Sequence, residues 1–275
     1  MLSPYRRMSQ IGVFALMFVI PVLNSYEIYA ITGTYYAINI GGLGITDPVA
    51  ILQTIVASGE LAPPILGSLI FPALLALILG RVWCGWMCPY HLMTDVTAWL
   101  RAWFRKRILG KSEWEAPVVP RPFKANMIRY GFLLAGTLAA GAIGIPILNY
   151  VSAPGILSTE AMILVRQGTL SLEFGFIAMI LLLELFLFPR FWCRLFCPTG
   201  ACLSLFRTPF TMTVRSAVGG GKTACCKNER CTEACPMGLA PYGEGTDLLC
   251  TNCGECIDAC SAKDGPGTLG FTGFG

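Results

Sequence analysis

Four long apolar stretches separated by polar connections dominate the sequence. They cover residues 8 to 31, 61 to 82, 128 to 148 and 172 to 188, approximately. A helix needs about 20 apolar residues to cross the roughly 30 Å hydrocarbon core of a bilayer. The first stretch lacks a small-residue cleavage pattern and is too long for the apolar region of a signal peptide, so we expect it to be retained. The pattern predicts an all-α membrane protein with four transmembrane helices.

Lysine and arginine are distributed unevenly among the connections. They are abundant before the first stretch, between the second and third, and after the fourth, whereas the other two connections contain only Arg166. Because basic segments stay on the cytoplasmic side of the membrane, both termini are predicted to be cytoplasmic, in the inner membrane of a bacterium. The segment WLRAWFRKR, residues 99 to 107, is typical of an amphipathic helix on that surface.

Composition agrees with this topology and narrows the candidate chemistry. Apolar residues make up 55% of the chain and charged residues 13%, against about a quarter charged in typical soluble domains. The net charge of +4 gives no indication of a nucleic-acid partner. A single histidine, His91, excludes a haem held by two histidines of this chain. The thirteen cysteines, mostly at two- and three-residue spacings, favour metal or cluster ligation over disulfides.

Two segments repeat one another at an offset of 109 residues. The sequence RVWCGWMCP begins at Arg81 and RFWCRLFCP begins at Arg190, each after an apolar stretch and at its predicted cytoplasmic end. Upstream, DPVAIL from residue 47 has a weaker echo in EAMIL from residue 160. The membrane part is therefore predicted to contain two repeated halves. Repeats in membrane proteins often place a binding site at their mutual interface.

The cysteines nearest the C-terminus give the most specific pattern. Their spacing is that of a bacterial ferredoxin motif, with two, two and three intervening residues: Cys250, Cys253, Cys256 and Cys260. In ferredoxins with two clusters, the fourth cysteine of such a motif binds the neighbouring cluster. A structural zinc site is the alternative, but zinc sites use paired cysteines rather than this run. The motif predicts a 4Fe–4S cluster in a small C-terminal domain.

A second, irregular motif precedes it. Cys231 and Cys235-Pro236 match the end of a ferredoxin motif and Cys225 its start, while Asn228 stands at the second position, which leaves Cys226 as a replacement. Two 4Fe–4S clusters are predicted. The first would be bound by Cys225, Cys226, Cys231 and Cys260, and the second by Cys250, Cys253, Cys256 and Cys235.

The repeated motifs provide a further set of thiols. Cys84 and Cys88, like Cys193 and Cys197, are separated by three residues, which places both sulfurs on one face of a helix. If the two halves meet, these four cysteines could hold a third iron–sulfur cluster or cycle between dithiol and disulfide. Packing in an apolar core is the alternative, and it is our interpretation of Cys202.

Two further side chains are candidate proton carriers. His91 follows Cys88 by three residues and could exchange a proton with a quinone, or it could be a hydrogen-bonded structural residue. Glu184 lies inside the fourth apolar stretch. A carboxylate at that depth is a candidate functional residue, or it could pair with a basic residue or a partner subunit.

The four apolar stretches, the paired Cys-x3-Cys-Pro motifs and the C-terminal ferredoxin motif together resemble the NapH/MauN ferredoxin-type membrane proteins. The membrane part of NosR and the CcoG proteins are similar in outline. The most specific shared residues are Cys84, Cys88, Pro89, Cys193, Cys197 and Pro198. The chain departs from the pattern at Asn228 and at Ser261, where proline is common after the last cysteine. The resemblance implies a membrane quinol dehydrogenase component that exchanges electrons with a partner reductase or dehydrogenase.

We therefore expect a four-helix membrane domain over residues 1–215 and a ferredoxin-like domain over residues 216–275. The expected function is electron transfer between quinone, clusters and partner redox subunits, such as another iron–sulfur protein, a multihaem cytochrome or a flavoprotein. An assembly factor that reduces a metal such as copper is the alternative, with Met87 and Met93 as soft ligands. A redox sensor ranks last because the sequence shows no effector domain.

Overall fold

The structure is a computed structural model that describes residues 2–27, 31–104, 106–107, 122–186, 189–216, 230–240, 248–264 and 269–272. Helices predominate, as predicted. They are α1 (Ser3–Ser25), α2 (Pro48–Ser58), α3 (Pro63–Leu79), α4 (Pro89–Phe104), α5 (Pro122–Ile143), α6 (Ala153–Gln167), α7 (Leu172–Phe186), α8 (Phe191–Leu195), α9 (Pro198–Leu205), α10 (Arg230–Glu233) and α11 (Glu255–Asp264). A π-helical turn covers Trp83–Met87 and a 3-10 turn covers Ile147–Val151.

The four predicted transmembrane stretches correspond to α1, α3, α5 and α7. Among the described residues, only α1 is long and apolar enough by itself to cross a bilayer; α7 qualifies only when joined, across a sharp bend, to residues 191–205. α3 is apolar but has 17 residues. The helices are therefore present where they were predicted, whereas their crossing of a membrane stays a prediction.

Two small antiparallel sheets depart from the all-α prediction. Strands β1 (Ile31–Thr34), β2 (Ala37–Ile40) and β3 (Leu43–Thr46) form a meander between α1 and α2. Gly41 and Gly42 connect β2 to β3 with φ of 57° and 93°, which a two-residue hairpin turn of this kind requires. Strand β4 (Thr213–Ser216) pairs with β5 (Leu269–Thr272).

The two predicted halves are visible as matching elements. α3 and α7 begin 109 residues apart, as do α4 and α9, and each of the latter pair begins with a proline. The main apolar core lies where the halves meet. It combines side chains of α1, α6 and α7 with Trp192 and Cys197 of the second motif and with Tyr90, which follows the first motif. The motifs are thus held at the centre of the protein.

Local signals explain several helix ends. The Asp47 carboxylate accepts hydrogen bonds from the backbone N–H groups of Val49 and Ala50 and so caps α2, as expected of an aspartate at this position. α2 and α6 end at Gly59 and Gly168, both left-handed, the conformation that glycine adopts without steric cost. The glycines therefore determine where α2 and α6 end, just before the apolar helices α3 and α7 of the two halves.

Candidate metal centre

The second cysteine of each repeated motif lies at the start of a helix. Cys88 directly precedes α4 and Cys197 is the N-cap of α9, with extended ψ angles of 118° and 111°. A following proline favours this extended conformation and suits the first helical position. Backbone N–H groups of His91 and Tyr90 donate to the Cys88 thiol, and that of Gly200 donates to Cys197. Such donors at a helix N-terminus favour an anionic sulfur.

The structure brings the four motif cysteines together. Burial raises the pKa of Cys88, and the neighbouring Cys84 and Cys197 raise it further. Burial and Cys84 likewise raise the pKa of Cys197. The pKa of Cys193 is raised by burial, then by Glu184, Cys197 and Cys88. Thiols that influence one another in this way form one group at the interface between the two halves.

The first motif also lies directly against the C-terminal cysteine loop. A Cβ atom at Gly85 would come within 2.6 Å of the Thr251 carbonyl oxygen and 3.3 Å of Cys253 Cα and Cβ. The indole Nε1 of Trp86 donates to the carbonyl oxygen of Asn252 at 3.0 Å. The loop therefore rests on the backbone of the π-helical turn, and glycine permits this close approach.

Asn252 fixes the loop to the end of α3. Its side-chain Nδ2 donates to the carbonyl oxygens of Leu79 at 2.9 Å and Met212 at 2.8 Å. Its φ is +50°, a left-handed conformation that asparagine tolerates better than most residues. The sequence analysis did not single out Asn252. In the sequence, only its position between two cysteines of a ferredoxin motif indicated that Asn252 belongs to the site.

The second motif contacts the other cysteine segment. The Arg194 guanidinium donates to the carbonyl oxygen of Pro236 at 3.2 Å, and Arg194 occupies the repeat position of Gly85. Cys193 and Cys235 both pack against an apolar cluster formed by Ala125, Met237 and Leu249. Each half of the repeat thus supports one of the two C-terminal cysteine segments.

The C-terminal cysteines form a second group of thiols. The pKa of Cys256 is raised by burial, then by Cys253, Cys235, Cys250 and Cys231, and burial, Cys253 and Cys235 raise that of Cys250. Cys235 therefore joins the three cysteines of the other motif, as the ferredoxin pattern anticipates.

Cys231 and Cys260 lie together in an adjoining buried cluster that includes Cys256. The remaining predicted ligands of the first cluster, Cys225 and Cys226, lie outside the described residues.

Buried arginines give the motif region a positive character that suits a 4Fe–4S group held by anionic thiolates. In the described part of the chain, Nε of Arg81 and Arg194 and both Nε and Nη1 of Arg129 have no hydrogen-bond partner. The Arg81 guanidinium lies beside the first turn of α9 and lowers the pKa of the Cys197 thiol that burial raises. Buried cationic donors need an anionic partner. The residues of this region therefore fit an anionic cluster.

The same region does not match a mononuclear metal site. Among the described residues, no three His, Cys, Asp or Glu side chains converge closely enough to hold one metal ion. A zinc ion draws four ligands to a single centre, whereas the thiolates of a cubane each bind a different iron and stay farther apart.

Glu184 lies near the motif cysteines. The side chain is buried, and Oε1 accepts a hydrogen bond from the backbone N–H of Trp192 at 3.3 Å, at the start of α8. Oε2 has no hydrogen-bond donor among the described residues. The carboxylate therefore positions the second motif, and its role in proton transfer stays a prediction.

His91 belongs to a buried ionic network. Nη1 of Arg190 lies 2.9 Å from His91 Nε2, and Arg190 also pairs with Asp95, which Arg6 contacts at 3.2 Å. Because arginine can only donate, the histidine nitrogen must accept this hydrogen bond, and the ring is neutral. Burial and Arg190 accordingly lower the pKa of His91. This geometry supports the structural interpretation of His91, while its catalytic role stays a prediction.

Asp47 is a buried carboxyl group that the sequence analysis did not select. It is 8% exposed, and burial raises its pKa to about 6. Asp47 interacts with Tyr36 and raises the pKa of both Cys197 and Cys202, after burial. The Asp-Pro helix cap at residues 47 and 48 explains its position, but only the fold places it beside the thiols.

Comparison with known proteins agrees with this geometry. The 4Fe-4S binding domain family matches residues 61–111 and 170–210, the segments that contain the two repeated motifs. The methylamine utilization ferredoxin-type protein MauN of Paracoccus denitrificans is 30% identical over 223 residues, which cover 79% of this chain and 71% of MauN. The ferredoxin-type protein NapH of Escherichia coli is 27% identical over 228 residues, which cover 79% of this chain and 72% of NapH. No solved structure matches the chain.

A mostly helical chain with buried cysteines at helix N-termini and in a ferredoxin motif defines an iron–sulfur electron-transfer protein of the ferredoxin type. The chain belongs to the NapH/MauN family of ferredoxin-type proteins. Protein RdxA of Cereibacter sphaeroides is a more distant relative, 27% identical over 210 residues that cover 66% of this chain and 40% of RdxA.

Proposed function

We propose that the chain is the membrane-bound electron-transfer subunit of a quinol dehydrogenase-type complex. It relays electrons between the quinone pool, 4Fe–4S clusters and partner redox proteins. The observation that carries this proposal is the contact of both repeated motifs with the C-terminal cysteine segments, through Gly85 against Cys253 and Arg194 against Pro236. When bound, a 4Fe–4S cluster takes up and releases single electrons at a potential set by its surroundings.

Two clusters are assigned to the C-terminal cysteines. The second cluster is bound by Cys250, Cys253, Cys256 and Cys235. The electrostatic proximity of these four thiols supports this set. The first cluster is bound by Cys225, Cys226, Cys231 and Cys260, and the common burial of Cys231 and Cys260 supports it.

A third cluster is assigned to Cys84, Cys88, Cys193 and Cys197. The mutual proximity of these thiols, the surrounding buried arginines and the match of the 4Fe-4S binding domain to these segments favour a cluster over a redox-active dithiol.

Membrane insertion is proposed for α1, α3, α5 and α7, with both termini in the cytoplasm. All four helices expose large apolar side chains. Examples are Ile11, Leu16, Ile70, Leu74, Leu134, Leu138, Met179 and Leu182. Exposed apolar surface of this extent marks contact with lipid or protein. The division at residue 215 also remains a proposal; β4 begins at Thr213 and pairs with β5 of the C-terminal part.

Partner redox proteins are needed to complete the path of electrons. Cluster sites without haem carry electrons only if another protein delivers or removes them. An iron–sulfur protein, a multihaem cytochrome or a flavoprotein would serve. MauN and NapH are named as ferredoxin-type proteins, which is consistent with a role as one component of a longer chain.

The alternative function, a metal-reducing assembly factor, has weaker support. Met87 and Met93 pack in the same core as the motif cysteines, so soft ligands are present. However, among the described residues no three His, Cys, Asp or Glu side chains converge on one metal position. Stoichiometric copper binding to the purified protein would favour this function.

An anaerobic iron and sulfide determination combined with EPR tests the proposal. We expect about twelve irons per chain if three cubanes are bound and about eight if only the C-terminal pair is bound. In a Cys88→Ser and Cys197→Ser double variant, the count falls from about twelve to about eight. A quinol should reduce the EPR-visible clusters of the native protein. A colourless, iron-free protein prepared without oxygen would contradict the proposal.

A further inference from the structure

A cavity of about 170 Å³ lies between the β-meander, α3 and the π-helical turn of the first motif. Its wall is mostly apolar and aromatic, and its members include Tyr35, Phe71, Ala76, Trp83, Met87 and Leu203. An apolar cavity of about 150 Å³ is large enough for a benzene ring. The cavity therefore has room for one six-membered ring.

One wall of the cavity is the segment that carries Cys84. Trp83 and Met87 line it directly, and they flank Cys84 within the same π-helical turn. The Tyr35 ring stacks on Trp83 with centroids 5.7 Å apart, and its hydroxyl donates to the Met87 carbonyl oxygen at 3.1 Å. These contacts keep the wall rigid. A ring bound here would lie beside the motif cysteines.

Asp47 is the one acidic residue of the lining, whose other polar members are Tyr35, Tyr36 and Thr46. Its carboxylate caps α2 and is oriented by the backbone N–H groups of Val49 and Ala50. The titratable groups whose pKa values depend on Asp47 are Tyr36, Cys197 and Cys202. A mostly apolar pocket with a few oriented polar groups is typical of a site for a small aromatic ligand.

The rim of the cavity is apolar as well. Leu16 of α1 and Phe71 of α3 line the cavity, yet 39% and 51% of their surfaces remain exposed. Both belong to helices that we propose to contact lipid. A ligand with a long hydrocarbon tail could therefore place its ring inside and leave the tail in the membrane.

We propose that this cavity binds the ring of a quinone or quinol, with the Asp47 carboxyl group contacting a ring oxygen and the isoprenoid tail leaving between Leu16 and Phe71. The inference rests on the proposed electron-transfer function and adds to it the location of the quinone site. Asp47 lines this cavity, whereas the candidate proton carriers Glu184 and His91 do not.

Photolabelling of the full-length, cluster-containing protein with an azido-substituted ubiquinone tests the location. We expect the label in the segments 31–48 and 71–87, and we expect duroquinone, a quinone with a single ring, to compete. Ala76→Leu fills the cavity and should lower the affinity for duroquinone at least tenfold. Ala73→Leu on the same helix does not line the cavity and should change it less than twofold.

Asp47→Asn tests the polar contact without removing the helix cap, since asparagine is an equally good N-cap. We expect the affinity for duroquinol to fall about tenfold while iron content and the EPR spectrum of the dithionite-reduced protein are unchanged. Glu60→Gln, an exposed carboxyl outside the cavity, is the matched control and should leave affinity unchanged.

The outcomes separate this inference from the proposed function. Labelling of other segments, or unchanged duroquinone affinity in Ala76→Leu, overturns the quinone site, even where quinol still reduces the clusters and the electron-transfer function stands. Conversely, labelling of the cavity in a protein whose clusters no quinol reduces supports the site and contradicts the quinol dehydrogenase role.

Discussion

Gly85 of the first repeated motif lies against Cys253 of the C-terminal ferredoxin motif, with no room for a side chain between them. The equivalent position of the second motif is Arg194, which reaches across to the Pro236 carbonyl oxygen. The two halves therefore use the same cysteine pattern but hold the C-terminal segments differently, one by close backbone contact and the other by a long cationic side chain.

A side chain at Gly85 should displace the Cys253 loop. In Gly85→Ala, the added Cβ would lie 2.6 Å from the Thr251 carbonyl oxygen, and overpacking of this kind costs about 1–3 kcal/mol. We expect an altered EPR spectrum of the C-terminal clusters and a lower temperature for loss of their absorbance. Gly175→Ala, where a Cβ meets nothing within 4 Å, is the control. Equal behaviour of the two variants would contradict the contact.

Substitution of Cys235 should lower the iron content of the protein, whereas substitution of Cys202 should not. Cys235→Ser removes a proposed ligand of the second cluster, so we expect up to about four irons to be lost per chain. Cys202 is buried in a cluster with Val49, Leu133, Leu148 and Ala201, and Cys202→Ala should retain the full iron content. Anaerobic iron analysis of both variants distinguishes a ligand from a packed thiol. Full iron content in Cys235→Ser would refute the assigned ligand set.

Asp95 neutralises two buried arginines and should be important for stability. Asp95→Asn removes the carboxylate that Arg6 and Arg190 share, and Arg6 keeps its second partner, Glu255. Removing one partner of a fully buried ion pair costs roughly 3–5 kcal/mol; Asp95 is 22% exposed, so we expect a smaller loss of about 2 kcal/mol. Thermal unfolding, monitored by circular dichroism, measures this loss of stability. Glu60→Gln, which alters an exposed carboxyl, should change stability by less than about 0.5 kcal/mol.

The Asp95 carboxylate also predicts how the stability of the fold depends on pH. Burial alone would raise the pKa of Asp95, but Arg190 and Arg6 lower it below 3.8. A carboxyl whose folded-state pKa is lowered stabilises the fold above its unfolded pKa, and this contribution is lost as the pH falls through the folded value. The stability difference between the native chain and Asp95→Asn should therefore be constant near neutral pH and shrink below about pH 4. A difference that grows on acidification would contradict this assignment.

Alkaline phosphatase fusions test the membrane topology. Fusions after residues 60 and 169 should be active, because both positions are predicted to face away from the cytoplasm, and fusions after residues 110 and 216 should be inactive. The pattern depends on α3, α5 and α7 crossing the bilayer in addition to α1. Equal phosphatase activity of the fusions after residues 60, 110, 169 and 216 would indicate that, of these four helices, α1 alone crosses the membrane.

The sequence by itself determined the features that depend on local spacing. The run from Cys250 to Cys260 identifies a ferredoxin motif because its ligands are held by a short loop and one turn of helix. Likewise, the proline after Cys88 and after Cys197 fixes each cysteine at a helix start, whatever the rest of the chain does. The apolar stretches located four helices for the same reason, since helix formation follows a periodic local pattern.

Only the tertiary structure decided which of these local pieces meet. Gly85 and Cys253 are 168 positions apart, and Asp47 reaches the motif cysteines from a helix cap in another part of the chain. Spacing along a chain contains no information on such contacts, because they depend on how whole elements pack. The strands of the meander escaped prediction for a related reason: each has four residues and is stabilised by pairing and by contact with α1 and α3 rather than by its own sequence.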